Sequence, residues 1–199
     1  MSVSLTKAGL SLAGIGGAGI GGYAISSYAS GDSKTIKEIL IEEGHSILTD
    51  KSDWGTVAKT YSLEATPNLK ISSETVDANF IKQWCEDKLK SKDRKSFLKK
   101  ARKWCVSYST IKDQLSKDKV ELETEENTLK GKYSGLSETI KEEVNTFTAD
   151  NEKDANGSKL KKWCESRSYK TYTEGEFYNT FKDKCTKPIA GAGAGAGAG

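Results

Sequence analysis

Residues 84–105 read WCEDKLKSKDRKSFLKKARKWC, and residues 163–185 read WCESRSYKTYTEGEFYNTFKDKC. Each stretch opens Trp-Cys-Glu, passes through basic and polar residues, and sets a phenylalanine eight residues ahead of a closing cysteine, Phe97 before Cys105 and Phe177 before Cys185. Together they hold all four cysteines and three of the four tryptophans. The rest of the chain is read outward from this doubled unit.

Apolar spacing around the first stretch is helical. Val76, Phe80, Ile81, Trp84, Cys85 and Leu89 share one stripe after a start at Ser72-Ser73. Lys90 to Asp93 make a turn. The next helix then points Phe97, Leu98, Ala101, Trp104 and Cys105 inward and its lysines and arginines outward. Upstream, Asp32 or Ser33 caps a helix with Ile36, Leu40 and Ile41 on one face and Gly44 as its stop. Ser52 caps another that carries Trp54, Val57, Ala58 and Tyr61, and Pro67 breaks the chain after it. His45 to Leu48 and Val120 to Leu122 read as short strands or extended connectors. The expected fold class is mainly α, or α+β if those segments pair.

Thr35-Ile-Lys-Glu-Ile-Leu40 recurs as Thr110-Ile-Lys-Asp-Gln-Leu115. Trp54-Gly-Thr-Val57 falls opposite Tyr133-Ser-Gly-Leu136, Tyr61 opposite Ile140, Trp84-Cys85 opposite Trp163-Cys164, and Cys105 opposite Cys185. Ordered matches at a nearly constant offset point to a tandem duplication of a unit of roughly 75–80 residues. The expected organisation is a leader over 1–30, a first helical repeat over 31–109, a second over 110–188, and a low-complexity Gly-Ala tail over 189–199. That tail has no side chains able to bury area and is assigned no function.

The spacing of Cys85, Cys105, Cys164 and Cys185 lacks the short knuckles of zinc sites and contains no CxxC redox pair, so no metal or cofactor is expected. The cysteines are either buried thiols or disulfide partners. An even count with one pair per repeat, behind an export segment, favours disulfides. The natural pairing is Cys85 with Cys105 and Cys164 with Cys185. An ideal hairpin turning near residue 92 opposes it, because it displaces Cys105 from Cys85 by about 10 Å along the helix axis.

Lys7 is the only charge before Asp32, and Ala8 to Ile25 is an uncharged run of Gly, Ala, Ile and Leu with a small-residue exit. This is the pattern of a signal peptide or an uncleaved membrane anchor. The run also contains a G-x-G-x-x-G match at Gly14, Gly16 and Gly19. It lacks the preceding strand and following amphipathic helix that a dinucleotide loop needs, so the membrane reading stands. His45 is the single histidine, no third group orients it, and the acids lie in lysine-mixed runs. No catalytic residue is assigned.

The Gly/Ala-rich leader, Thr35–Gly44 (TIKEILIEEG), the Asp53-Trp54 helix start, the recurring Lys-Trp-Cys and the length near 200 residues resemble the uncharacterised paralogous protein families of haemotropic mycoplasmas. The resemblance implies an exported or membrane-anchored protein that faces a host cell and varies antigenically. It carries over no site residues.

Two functions follow as expectations. The first is a non-enzymatic, membrane-anchored or secreted surface protein, attached through residues 8–25 and contacting host-cell glycans or proteins. The alternative is a nucleic-acid-binding helical protein using the basic segment 88–103, where nine lysines and arginines face only Asp93. A net charge of +3 makes nucleic acid the lesser partner. In either case Lys88, Lys92, Lys95, Lys99 and Lys103 are the expected polyanion contacts.

Overall fold

The computed structural model describes residues 34–150 and 155–189. The leader with the membrane segment expected at 8–25, the caps expected at Asp32 or Ser33, and the Gly-Ala run from Ala190 lie outside the described residues. Among those described, the order is α1 (Ile36–Glu42), α2 (Trp54–Glu64), α3 (Ala78–Lys88), α4 (Arg94–Trp104), α5 (Ile111–Lys117), β1 (Val120–Leu122), α6 (Glu126–Tyr133), α7 (Glu138–Asn145), α8 (Ala155–Arg167), α9 (Glu176–Cys185) and β2 (Thr186–Pro188). The fold is mainly helical with one small antiparallel sheet of β1 and β2. No described helix is long and apolar enough to cross a membrane.

Thr35 starts α1 through a capping box. Its hydroxyl accepts from the Glu38 amide, and the Glu38 carboxylate accepts from the Thr35 amide. Gly44, at φ +84°, ends the helix with paired return bonds, its own amide to Ile41 O and the His45 amide to Leu40 O. The same box recurs at Thr110 and Asp113 ahead of α5, but there the left-handed position is Lys119, at φ +57°. Further on, caps fall one to a few residues from the expected sites. Asp53 rather than Ser52 caps α2, and Asp77 rather than Ser72-Ser73 caps α3, because a carboxylate accepts from the amide three residues on. The stripe of α3 is therefore shorter than expected: Ile81, Cys85 and Leu89 are buried, Trp84 is half-buried, and Phe80 is exposed.

The first amides of α1 and α5 find acceptors in the loops that follow α3 and α8. Ile36 and Lys37 donate to Ser91 and Leu89, while Ile111 and Lys112 donate to Lys170 and Ser168. Those loops also solve the problem of disulfide reach. α3 stops at Lys88, and the open connection Leu89–Asp93 follows. At up to ~3.3 Å per residue, that connection plus the end of α3 spans the ~16 Å that α4 runs back. Cys85 and Cys105 meet with a Cα–Cα distance of 5.5 Å, and Cys164 and Cys185 with 5.6 Å.

The described residues form two apolar clusters. One gathers Ile36, Leu40, Ile81, Cys85, Ala101 and Trp104, and the other Ile111, Leu129, Val144, Leu160, Trp163 and Phe181. Matching features recur between them. Trp84 meets Phe97 edge-on at 6.3 Å, and Trp163 meets Phe177 at 6.2 Å. The Leu48 amide donates to Cys105 O, and the Glu123 amide donates to Cys185 O. The middle of the chain departs from the simple alignment. Trp54 opens α2, whereas Tyr133 closes α6, and two helices, α6 and α7, stand where the first half has α2 alone.

Candidate interaction surface

All four cysteine sulfurs are bonded in pairs and their residues are buried, so the chain offers no thiolate for nucleophilic work. His45 Nε2 lies 3.7 Å from Glu43. Glu43 is itself clamped by Arg102 at 2.9 and 2.5 Å. Among the described residues no cluster of three His, Cys, Asp or Glu is arranged to hold a metal ion.

The lysines and arginines of the basic segment do not all face outward as expected. Lys103 turns inward as a structural ion. Its ammonium meets Glu64 at 2.5 Å and Thr171 Oγ1 at 2.8 Å, and it is only 19% exposed. Lys88 is engaged locally, paired with Asp87 at 2.6 Å and lying 4.8 Å over the Phe97 ring. Lys92, Lys95 and Lys99 remain exposed, and none of them makes an ion pair within 4 Å among the described residues. Three of the five expected contacts thus stay together near and along α4.

Lys103 belongs to a polar seam between the two apolar clusters. Glu64 accepts from the Thr171 amide at 2.8 Å and from its hydroxyl at 2.9 Å. Thr60 donates to Tyr169 O at 2.7 Å. Burial pushes the Glu64 carboxyl up, but the Lys103 ammonium and the two Thr171 donors outweigh it and hold the pKa below the usual carboxylate range. Beside the seam, the Tyr108 hydroxyl is buried without a partner among the described residues, and burial pushes its pKa up to about 12. Residues more than a hundred positions apart in the chain meet in this seam, and no local pattern in the sequence marks it.

On the second cluster an open groove of about 470 Å³ runs between α7 and α9. Ile140 and Phe177 line it together with Glu176, Asp183 and Lys184, the last two paired at 2.9 Å. On α7 the exposed Glu138 and Glu142 lie one turn apart. Glu142 makes no ion pair among the described residues, and Glu138 pairs only with Lys141.

Comparison with known proteins returns nothing: no family model, curated protein or solved structure matches this chain.

Proposed function

We propose that the chain is an exported, non-enzymatic interaction protein, attached to or passed through a membrane by residues 8–25, with its disulfide-bonded body outside. One observation carries this reading: every cysteine is closed into one of two buried disulfides. Such bonds form and persist in oxidising compartments, and glutathione keeps thiols reduced in the cytosol. The body reads as two copies of one unit, 31–109 and 110–188, supported by the repeated capping boxes, the repeated Trp–Phe edge contacts and one disulfide in each half. The resemblance to paralogous mycoplasmal families adds a host-facing, antigenically variable role.

The contact surface in this reading is the exposed row Lys92, Lys95 and Lys99. Lysine attracts anionic groups as a point charge without the planar fork of arginine, so this surface suits a broadly acidic partner rather than a specific phosphate geometry. The nucleic-acid alternative is weaker, because Lys88, Arg102 and Lys103 are engaged within the chain. Protease treatment of intact native cells, followed by immunoblotting against the body, tests the location. Loss of the body from unbroken cells is expected. Full protection, with the protein recovered in the soluble cytosolic fraction, would overturn the proposal.

A further inference from the structure

We infer that the cleft where α2 meets α5 and α8 is a binding site for a sugar residue that carries a sulfate or phosphate ester. The site uses none of the α4 lysines, and the inference does not depend on export.

The cleft holds about 450 Å³, within the size range of small-molecule sites, between α2 of one apolar cluster and α5 and α8 of the other. Tyr169 lines it and is held at three points. Its carbonyl accepts from the Thr60 hydroxyl at 2.7 Å, its amide donates to Ser166 O at 3.2 Å, and its hydroxyl accepts from the Lys59 ammonium at 2.9 Å. Two cations from different helices converge on this ring. Lys59 Nζ lies 4.2 Å from the ring centroid and Lys112 Nζ 5.7 Å. Neither ammonium has a carboxylate within 4 Å among the described residues. Asp53, Glu64 and Asp113, the acids of those helices and their N-caps, are already engaged, with Thr56, with Lys103 and Thr171, and with Thr110. Contact with one ring leaves most of the lysine donors unused, and two like charges drawn to it repel each other. A bound anion relieves that repulsion.

The remaining lining narrows the ligand. Lys59 keeps two N–H donors and Lys112 three, and the Tyr169 hydroxyl, having accepted from Lys59, keeps its proton to donate. The Ser166 hydroxyl bonds no other group among the described residues. These donors suit an oxyanion, with lysine acting as a point charge rather than a shaped fork. The third lysine of the lining, Lys162, is neutralised by Asp150 at 2.5 Å and donates to Thr148 O. Glu165 is the one carboxylate of the lining and makes no ion pair among the described residues. It repels a bare ion but accepts from hydroxyl groups placed beside one. Leu63 and Leu122, both half-buried, offer apolar surface to a carbon ring. An anion, neighbouring hydroxyls and an apolar ring face together describe an esterified sugar.

Two-dimensional NMR of the nitrogen-labelled, oxidised full chain tests this by titration at constant ionic strength with glucose 6-sulfate, glucose 6-phosphate, methyl sulfate and glucose. Both sugar esters should shift the amides of Lys112, Ser166 and Tyr169 saturably, and bind severalfold more tightly than methyl sulfate. Glucose should shift none of them. Lys59→Gln/Lys112→Gln should weaken binding of the sugar esters about tenfold or more. Glu165→Gln keeps an acceptor but removes the charge, so it should strengthen methyl sulfate binding severalfold. Lys95→Glu/Lys99→Glu should change neither affinity. All five positions are exposed, and circular dichroism should show every variant folded. Absence of saturable shifts at those amides, or an affinity that Lys59→Gln/Lys112→Gln leaves intact, would overturn the site. Methyl sulfate binding as tightly as the sugar esters would overturn the sugar assignment. Binding abolished by Lys95→Glu/Lys99→Glu instead would move the anion to α4 and overturn the cleft as its seat.

Discussion

Lys119 occupies a backbone conformation that L side chains avoid, φ +57°, at the place where the first half of the chain uses Gly44 at φ +84°. A non-glycine residue there costs roughly 1–2 kcal/mol from the Cβ–carbonyl clash. Lys119 is exposed and its side chain makes no ion pair within 4 Å among the described residues, so little offsets that cost. Lys119→Gly is expected to stabilise the fold by about 1 kcal/mol in urea denaturation. An unchanged or lower midpoint would contradict the strain argument. Gly157 makes the opposite case. A Cβ there would lie 2.0 Å from Glu126 O, so α8 approaches the start of α6 only because no side chain intervenes. Gly157→Ala should destabilise by about 3 kcal/mol, since backbone rather than a flexible side chain would have to move. A thermal melt within a degree or two of wild type would show that the helices separate freely. Neither residue stood out in the sequence. Lys119 sits in a mixed-charge run and Gly157 in a polar one, and only the tertiary arrangement gives each its meaning.

At the scale of elements, the helices were legible where apolar spacing carried them, and the disulfide pairing followed from the doubled stretch despite the objection of reach. The end of α3 falls within a residue of the expected turn; what the sequence did not show was the path of the connection Leu89–Asp93, which lets α4 run back so that Cys85 and Cys105 meet. Equally hidden was the seam where α2 and α4 meet the Tyr169–Tyr172 segment, because its partners are distant in the chain. Glu64 makes this seam testable by pH. Its folded pKa is depressed below its unfolded value, so its contribution to stability is fully present above about pH 4.5. That contribution is lost as pH falls through the depressed folded value. Glu64→Gln should therefore cost about 2–3 kcal/mol at neutral pH, where Lys103 and the Thr171 amide lose a charged acceptor. The gap from wild type should narrow as pH drops below 4.5 and close in strong acid. A gap that stays constant across that range would mean that Glu64 acts by packing alone.

Across the whole molecule, composition alone pointed to a lean, strongly solvated chain, 30% charged and 35% hydrophobic. Such a chain has limited apolar area with which to stabilise each cluster, and a disulfide closing a loop of about 20 residues contributes about 3 kcal/mol by restricting the unfolded state. The proposed location depends on the chain being oxidised in this way where it works. The most direct measurement is a thiol-trapping experiment on native cells. Acid quenching freezes thiol exchange, free thiols are then alkylated in denaturant near neutral pH, the unreduced protein is digested, and the cysteine peptides are identified by mass spectrometry. The account predicts no alkylated cysteine and two cross-linked species, Cys85 with Cys105 and Cys164 with Cys185. Alkylated cysteines, or a cross-link joining Cys85 or Cys105 to Cys164 or Cys185, would contradict it.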